Sequence, residues 1–125
     1  MSQVFTDFSL LTRAATESRI VHAGEHIFRQ GEAGTEMFLV KSGAVDIRRG
    51  NKTLETVEAG GIFGEMALID GSPRSADAIA HTDAEIFPVG TRQFEFMVAE
   101  APYFATSVMS VMAKRLRRAN DDVDA

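Results

Sequence analysis

Between Phe63 and Ala76 the chain reads Phe-Gly-Glu-Met-Ala-Leu-Ile-Asp-Gly-Ser-Pro-Arg-Ser-Ala. Gly64-Glu65-Met66-Ala67-Leu68 predicts a helix of one or two turns that starts at a glycine, where a ligand can approach the backbone closely. The first amides of a helix lack intrahelical acceptors and carry partial positive charge, so this terminus suits an anion such as phosphate. Gly71-Ser72-Pro73 ends the turn and returns Arg74 towards the same end. A guanidinium offers a planar fork of donors that matches phosphate oxygens better than an ammonium does. Ser75 adds a hydroxyl donor beside it. Glu65, an acid next to an anion site, then needs a separate task, and accepting a hydrogen bond from a ribose hydroxyl is one. Asp77 has two readings. It lies two residues beyond Ser75, and an ideal strand turns both side chains to one side, where a carboxylate would weaken anion binding, whereas a local twist would turn it away.

These two halves need elements to hold them together. From residue 20 onward glycines recur at positions 24, 31, 34, 43, 50, 60, 61, 64, 71 and 90, with short runs between them. Ile20–His22, His26–Arg29, Met37–Val40, Ala44–Arg48, Thr53–Val57, Ala78–Ala80 and Glu85–Val89 alternate or are β-branched. Turn residues every 8–12 positions or so, with short strands between, are the pattern of an all-β sandwich, roll or barrel. Lys41-Ser42-Gly43 predicts a tight hairpin, and Gly50-Asn51 another. No βαβ spacing is present, which excludes a doubly wound dinucleotide-binding fold.

After Gly90 the glycines stop. A helix is predicted over Arg92 to Ala99, with Thr91 as its N-cap. Ala101-Pro102 interrupts it, and Pro102 opens a second helix that runs to about Arg118. Phe104, Val108, Val111, Met112 and Leu116 form its apolar stripe, and Asn120 with the aspartates after it predicts a frayed end. At the other terminus Phe5, Phe8, Leu10 and Leu11 predict a short helical segment, with Thr6 or Asp7 as its cap.

Composition removes several function classes. The 125 residues hold no cysteine, which excludes disulfides, thiolate metal sites and a cysteine nucleophile. With 13 basic and 18 acidic residues the net charge is -5, so the surface as a whole does not court nucleic acid. Lys114 to Arg118 is better read as cations in the last turn of a helix, where they oppose its dipole. His22, His26 and His81 include no His-x-His pair of the kind a metal-binding β-roll needs, and are read as ordinary surface or packing residues. No Gly-x-Ser-x-Gly or comparable nucleophile pattern occurs, so catalysis is not expected. No apolar run reaches the roughly 20 residues that span a bilayer, and no signal peptide is evident. The expected location is the cytoplasm.

Phe63-Gly64-Glu65-Met66-Ala67-Leu68, a short spacer, then Pro73-Arg74-Ser75-Ala76 resembles the phosphate-binding cassette of cyclic nucleotide-binding domains. That family includes catabolite activator proteins, regulatory subunits of cAMP-dependent kinase and cyclic-nucleotide-regulated channels. Ala23-Gly24-Glu25-His26-Ile27-Phe28, then Gln30-Gly31-Glu32-Ala33, resembles the family's first β-roll turns. Met37-Phe38-Leu39-Val40 with Ser42-Gly43 resembles its next hairpin. The similarity runs from about residue 10 to 118.

The resemblance implies a mainly β chain with flanking helices. It would be a single β-roll domain over 1–125, with the roll at about 20–90 and two C-terminal helices at about 92–118. It implies a ligand-binding set of Phe63, Gly64, Glu65, Met66, Ala67, Arg74, Ser75 and Ala76. Arg74 would pair with the cyclic phosphate, helped by Ser75 and the amides around Ala67 and Ala76. Glu65 would accept the ribose 2′-hydroxyl, with Gly64 contributing backbone. Threonine at the place of Ser75 tends to accompany cGMP in the family, so serine leans to cAMP.

The C-terminal helix should close over the base, with Lys114, Arg115 and Arg118 as candidate lid residues. The chain ends where transcription-factor relatives would begin their DNA reader. Direct nucleic-acid or membrane binding is therefore not expected. The expected output is a protein partner, or a homodimer through the Phe104–Leu116 stripe. A nucleotide-independent interaction module on the same fold stays open as the alternative.

Overall fold

A strand buried on both faces needs an unbroken apolar run, and Met37-Phe38-Leu39-Val40 supplies one at the centre of the molecule. The computed structural model describes residues 9–14 and 16–124. In chain order its elements are α1 (Ser9–Arg13), β1 (Arg19–Val21), β2 (His26–Phe28), β3 (Met37–Ser42), β4 (Ala44–Arg49) and β5 (Lys52–Glu58). Then follow β6 (Ile62–Phe63), α2 (Glu65–Asp70), β7 (Asp77–Ala80), β8 (Ala84–Val89), α3 (Thr91–Glu100) and α4 (Tyr103–Asp124). The strands form two antiparallel four-stranded sheets, ordered β1-β8-β3-β6 and β2-β7-β4-β5.

Period-2 alternation sorts the core. Phe38 and Val40 of β3, Phe63 of β6 and Ile86 of β8 point between the sheets, where they meet Val45, Val57, Ala78 and Ala80. Met37, Leu39, Ile62, Phe87 and Val89 point the other way, onto Leu10, Leu11, Met97, Phe104, Val108 and Val111 of the helices. The first sheet is thus sandwiched between the second sheet and the helices. The mainly β architecture with flanking helices expected above is the one observed.

Three local expectations change. Lys41-Ser42-Gly43 is not a hairpin: β3 pairs β6 and β8, whereas β4 pairs β5 and β7, so the chain crosses from one sheet to the other at Gly43. A second crossing, from β7 to β8, sits against the first. Ala44 accepts the amides of His81 and Thr82 through its carbonyl at 2.9 and 3.4 Å, and donates its own to Thr82 Oγ1 at 3.0 Å. The Gly50-Asn51 turn does join a hairpin, closing on the Arg49–Lys52 pair.

The Thr91 cap also moves: Gly90 occupies the N-cap position in extended conformation and Thr91 is the first helical residue. Finally, α4 begins just after Pro102 but continues to Asp124 rather than fraying near Arg118. β6 was not foreseen, because two residues cannot reveal a period. The predicted Thr6 or Asp7 cap and Phe5 and Phe8 lie outside the described residues. No single helix among the described residues is long and apolar enough to cross a membrane.

The sheet crossing at Gly43 depends on the missing side chain. Its φ is +81°, and a Cβ there would lie 2.2 Å from the Asp83 carbonyl oxygen. Gly50 also has positive φ, +61°, but a Cβ would meet no atom within 4 Å. Gly50→Ala is therefore expected to cost only the left-handed strain of about 1–2 kcal/mol. Gly43→Ala should cost clearly more, since fixed backbone must shift as well. Urea unfolding of the two variants beside the parent measures the difference, and equal losses would refute this account of the crossing.

Candidate functional site

The peptide from Phe63 to Ala76 leaves β6 at the bottom of the inter-sheet core and re-enters the second sheet at β7. Helix α2 between them is capped at both ends by left-handed glycines, Gly64 at φ 77° and Gly71 at φ 71°, and no side chain caps its N-terminus. The Gly71 amide closes the helix on the Ala67 carbonyl at 2.9 Å. Arg74 is then fixed by its own backbone: its amide donates to the Glu32 carbonyl at 2.9 Å, and its carbonyl accepts the Gly31 amide at 2.8 Å.

That pairing turns the Arg74 side chain inward. It is 7% exposed. Its guanidinium carbon lies 4.2 Å from the Phe28 ring centroid, within cation–π range. Phe28 is in turn braced by Phe38 and Phe63, with ring centroids 6.1 and 5.9 Å away. Nη1 donates to the Gly64 carbonyl at 3.1 Å, while Nε is buried with no partner. Burial pulls the guanidinium below its ordinary pKa, and the nearby charges of Glu36, Glu32 and Glu65 oppose that. It remains a cation.

Two glycines make room for it. A Cβ on Gly34 would fall 2.5 Å from Nε, and one on Gly64 2.8 Å from Nη1. Gly34 was legible only as one of a series of glycines. Nothing in the sequence tied it to Arg74.

Two adjoining cavities open here and share Ile47, Glu65, Met66, Ser75, Ala76 and Arg115. The smaller, about 80 Å³, is also lined by Phe28, Phe63, Gly64, Ala67, Pro73 and Arg74. Every residue of the expected binding set therefore lines it. The larger, about 310 Å³, runs out between β5 and α4 past Arg49, Leu54, Glu55, Leu116 and Arg118.

Glu65 is 3% exposed and takes a 2.7 Å hydrogen bond from Arg115 Nη1 at its Oε1. Arg115 also donates to Glu55 through Nε at 2.9 Å and Nη2 at 3.1 Å, and to the Ile62 carbonyl at 2.6 Å. Arg118 Nη1 reaches Glu55 Oε1 and the Leu54 carbonyl, both at 3.2 Å. Burial alone would depress the Arg115 pKa, but its bonds to Glu55 and the charge of Glu65 outweigh that and raise it.

Of the candidate lid residues, Arg115 and Arg118 line the cavity, and Lys114 is exposed and lines neither. Sequence reasoning missed Phe28, Glu55 and Arg49. The last holds the Ser75 carbonyl from β4 at 3.2 Å.

Residues 18–101 match the family model described as cyclic nucleotide-binding domain. The chain belongs to that family. It is 33% identical over 113 residues to the cyclic AMP receptor protein of Thermus thermophilus, covering 86% of this chain and 52% of that protein. It is 36% identical over 101 residues to a cyclic nucleotide-gated potassium channel of Rhizobium etli, covering 81% of this chain and 28% of the channel.

The chain thus spans about half the length of the first relative and less of the second. The crystal structure of the Thermus thermophilus catabolite activator protein superposes with a TM-score of 0.78 at 31% identity, over 93% of this chain and 58% of that one. A structure described under a cyclic-GMP-dependent signalling pathway in bacterial phytopathogenesis superposes at 0.72 with 26% identity, over 94% and 96%.

Within this cyclic nucleotide-binding domain Asp77 follows the second of its two readings and turns away. Its carboxylate turns away from Arg74, accepts the Gln30 amide at 2.7 Å and faces His26 Nε2 at 4.0 Å. It lines neither cavity. The bond to Gln30 turns it into a brace for the chain that leads to Gly31. Asp77→Ala should therefore lower stability, by about 1.5–3 kcal/mol for a bond to a charged acceptor, as read from urea unfolding. A variant as stable as the parent would mean that the carboxylate is dispensable there.

Proposed function

We propose that this chain binds a cyclic mononucleotide, cAMP in preference to cGMP, and passes the binding event through α2 and α4 to a protein partner or an output domain. The observation that carries the proposal is the Arg74 guanidinium. It is buried, stacked on Phe28, carries an Nε without a partner, and lines the cavity beside the first turn of α2. An unpaired buried polar group costs about 1–3 kcal/mol, and a phosphate in that cavity would offer charged acceptors to the guanidinium.

In this reading the cyclic phosphate lies against Arg74, Ser75 and the amides around Ala67 and Ala76. Glu65 takes the ribose 2′-hydroxyl, and the base enters the larger cavity, with α4 as its cover. The preference for cAMP rests on Ser75. The similarity to a structure linked to cyclic GMP is the reason both nucleotides belong in the test. Transmission needs the ligand to favour one arrangement of α2 and α4 over another, since equal binding to both would shift nothing. The reading assigns no catalysis.

Isothermal titration with cAMP and with cGMP is the direct measurement. Saturable heat is expected with cAMP and a weaker isotherm with cGMP. Arg74→Ala should lower affinity roughly tenfold to a hundredfold or more, as a lost charge-assisted hydrogen bond implies. Gly34→Ala should also lower it with the chain folded, because its Cβ would displace the guanidinium. Folded, nucleotide-free protein that gives no heat with either ligand would sink the proposal in favour of a nucleotide-independent interaction module.

The partner surface is proposed on α4, with one revision. Phe104, Val108 and Val111 of the expected stripe are buried in the chain's own core. Met109 and Leu116, seven residues apart on a common face, are 58% and 57% exposed. We propose this face, rather than the whole stripe, for a homodimer or partner helix. Sedimentation equilibrium of the parent and of a Met109→Glu, Leu116→Glu double variant reads it. A dimer lost in the variant is expected, and one unaffected by it would move the interface elsewhere.

A further inference from the structure

Glu55 lies on β5, outside the cassette, and its side chain is 14% exposed. Its two oxygens take a side-on fork from Arg115, Nε at 2.9 Å and Nη2 at 3.1 Å, and Oε1 also receives Arg118 Nη1 at 3.2 Å. Arg115 Nη2 is shared further with the Ile62 carbonyl at 2.6 Å. The nitrogen left for Glu65 is Nη1, which reaches Oε1 at 2.7 Å. No described hydrogen bond engages the other oxygen of Glu65, and Glu65 lines both cavities.

The consequence follows from guanidinium chemistry. An arginine facing a single carboxylate tends to pair through two parallel bonds, which consumes both oxygens. Here neither fork of Arg115 is open: Glu55 takes the Nε/Nη2 side, and the Ile62 carbonyl takes the remaining Nη2 hydrogen of the Nη1/Nη2 end. A second guanidinium, Arg118, balances the second acid, so two carboxylates and two cations form a neutral cluster that keeps Arg115 turned to β5.

We propose that Glu55 is a positioning residue. By holding the Nε/Nη2 side of Arg115 it keeps the guanidinium turned so that the Ile62 carbonyl occupies Nη2 at the other fork, which leaves Nη1 alone for Glu65 and one Glu65 oxygen open for the sugar hydroxyl. This rests on the cyclic-nucleotide reading above. It assigns to a residue that acts through Arg115 the control of ribose against deoxyribose recognition. Removing the Glu55 charge frees the fork to swing onto Glu65. The cation of the site, Arg74, is untouched by that change.

The test compares cAMP with 2′-deoxy-cAMP by isothermal titration. The parent is expected to prefer the ribonucleotide by about tenfold, the scale of one hydrogen bond to a charged acceptor. In Glu55→Gln the cAMP affinity should fall to that of the deoxynucleotide, whose own affinity stays within about twofold of the parent. In the double-mutant cycle, Glu55→Gln added to Glu65→Gln should change the ratio no further, because both act on one acceptor. Should the glutamine variant not fold, Glu55→Asp, too short to hold both Nε and Nη2, carries the same measurement.

Equal losses for both nucleotides, or a ratio equal to the parent's, would overturn the role of Glu55 and leave the cyclic-nucleotide reading standing. A parent that binds neither nucleotide overturns both.

Discussion

Two guanidiniums, one buried and one half-buried, meet opposite fates in this molecule, and the site depends on the contrast. The half-buried Arg115 is well paired: two carboxylates and a carbonyl accept four hydrogen bonds from it, and it ties α4 to β5 and to the first residue of α2. Arg74 is not. It sits over an aromatic face with one bond to a carbonyl and a buried donor left over. Breaking a buried ion pair is strongly unfavourable because it strands a charge. The fold holds Arg74 in something close to that stranded condition. It can do so because the backbone of the arginine is paired on both sides with the Gly31–Glu32 segment, and because Gly34 and Gly64 leave no Cβ to push the side chain out. The aromatic cluster behind it, Phe28 against Phe38 and Phe63, belongs to the inter-sheet core and cannot yield without disturbing it.

The same core explains why the cassette is placed where it is. Phe63 ends β6 as one of the largest fully buried side chains, and the next residue is already the left-handed Gly64. A turn so close to a buried anchor has little freedom, so the start of α2 is set by packing. The end of α2 is set differently. Its exit runs through exposed Gly71 and half-buried Ser72, whose amide and hydroxyl both bond the Asp70 carboxylate at 2.9 and 2.6 Å. Those bonds hold the Asp70 pKa below its ordinary value. One end of α2 is anchored in the core and the other is held by local polar contacts.

How much of this could be read in the sequence follows from which contacts are local. The cassette was legible because its parts fall between Phe63 and Ala76, and turn chemistry fixes how they face one another. The strands were legible from β-branched alternation, apart from β6, which at two residues has no period. Their pairing was not. Ser42-Gly43 looks like a hairpin because a hairpin and a sheet crossing ask for the same left-handed glycine. The choice between them lies in β8 and β7, some forty residues later. Asp77 stayed open for a related reason. Strand periodicity gave its side, but the amide it meets, at Gln30, comes from another part of the chain. Glu55 left no signal at all, being an acid on a half-exposed strand whose partners lie sixty residues away on α4.

The coupling between cassette and C-terminal helix can be argued from these separations. A helix of six residues has almost no stability of its own, and α2 has no side chain capping its N-terminus. Its position relative to α4 is therefore set by Glu65 and Arg115 and by whatever else bridges them. In the described arrangement the polar part of that bridge is one hydrogen bond of 2.7 Å within a neutral four-charge cluster, beside the packing of Leu68 on the core that holds Phe104, Val108 and Val111. A ligand that binds Arg74 with its phosphate and Glu65 with its sugar adds a second bridge, between the cassette and the end of its own spacer. It can shift the α2–α4 relation only by as much as it strengthens or weakens the first. On the proposed reading, the quantity that would govern signalling is the difference in Glu65–Arg115 interaction between free and bound chain, and not the affinity itself. A tight ligand that leaves that pair unchanged would fill the site without moving α4.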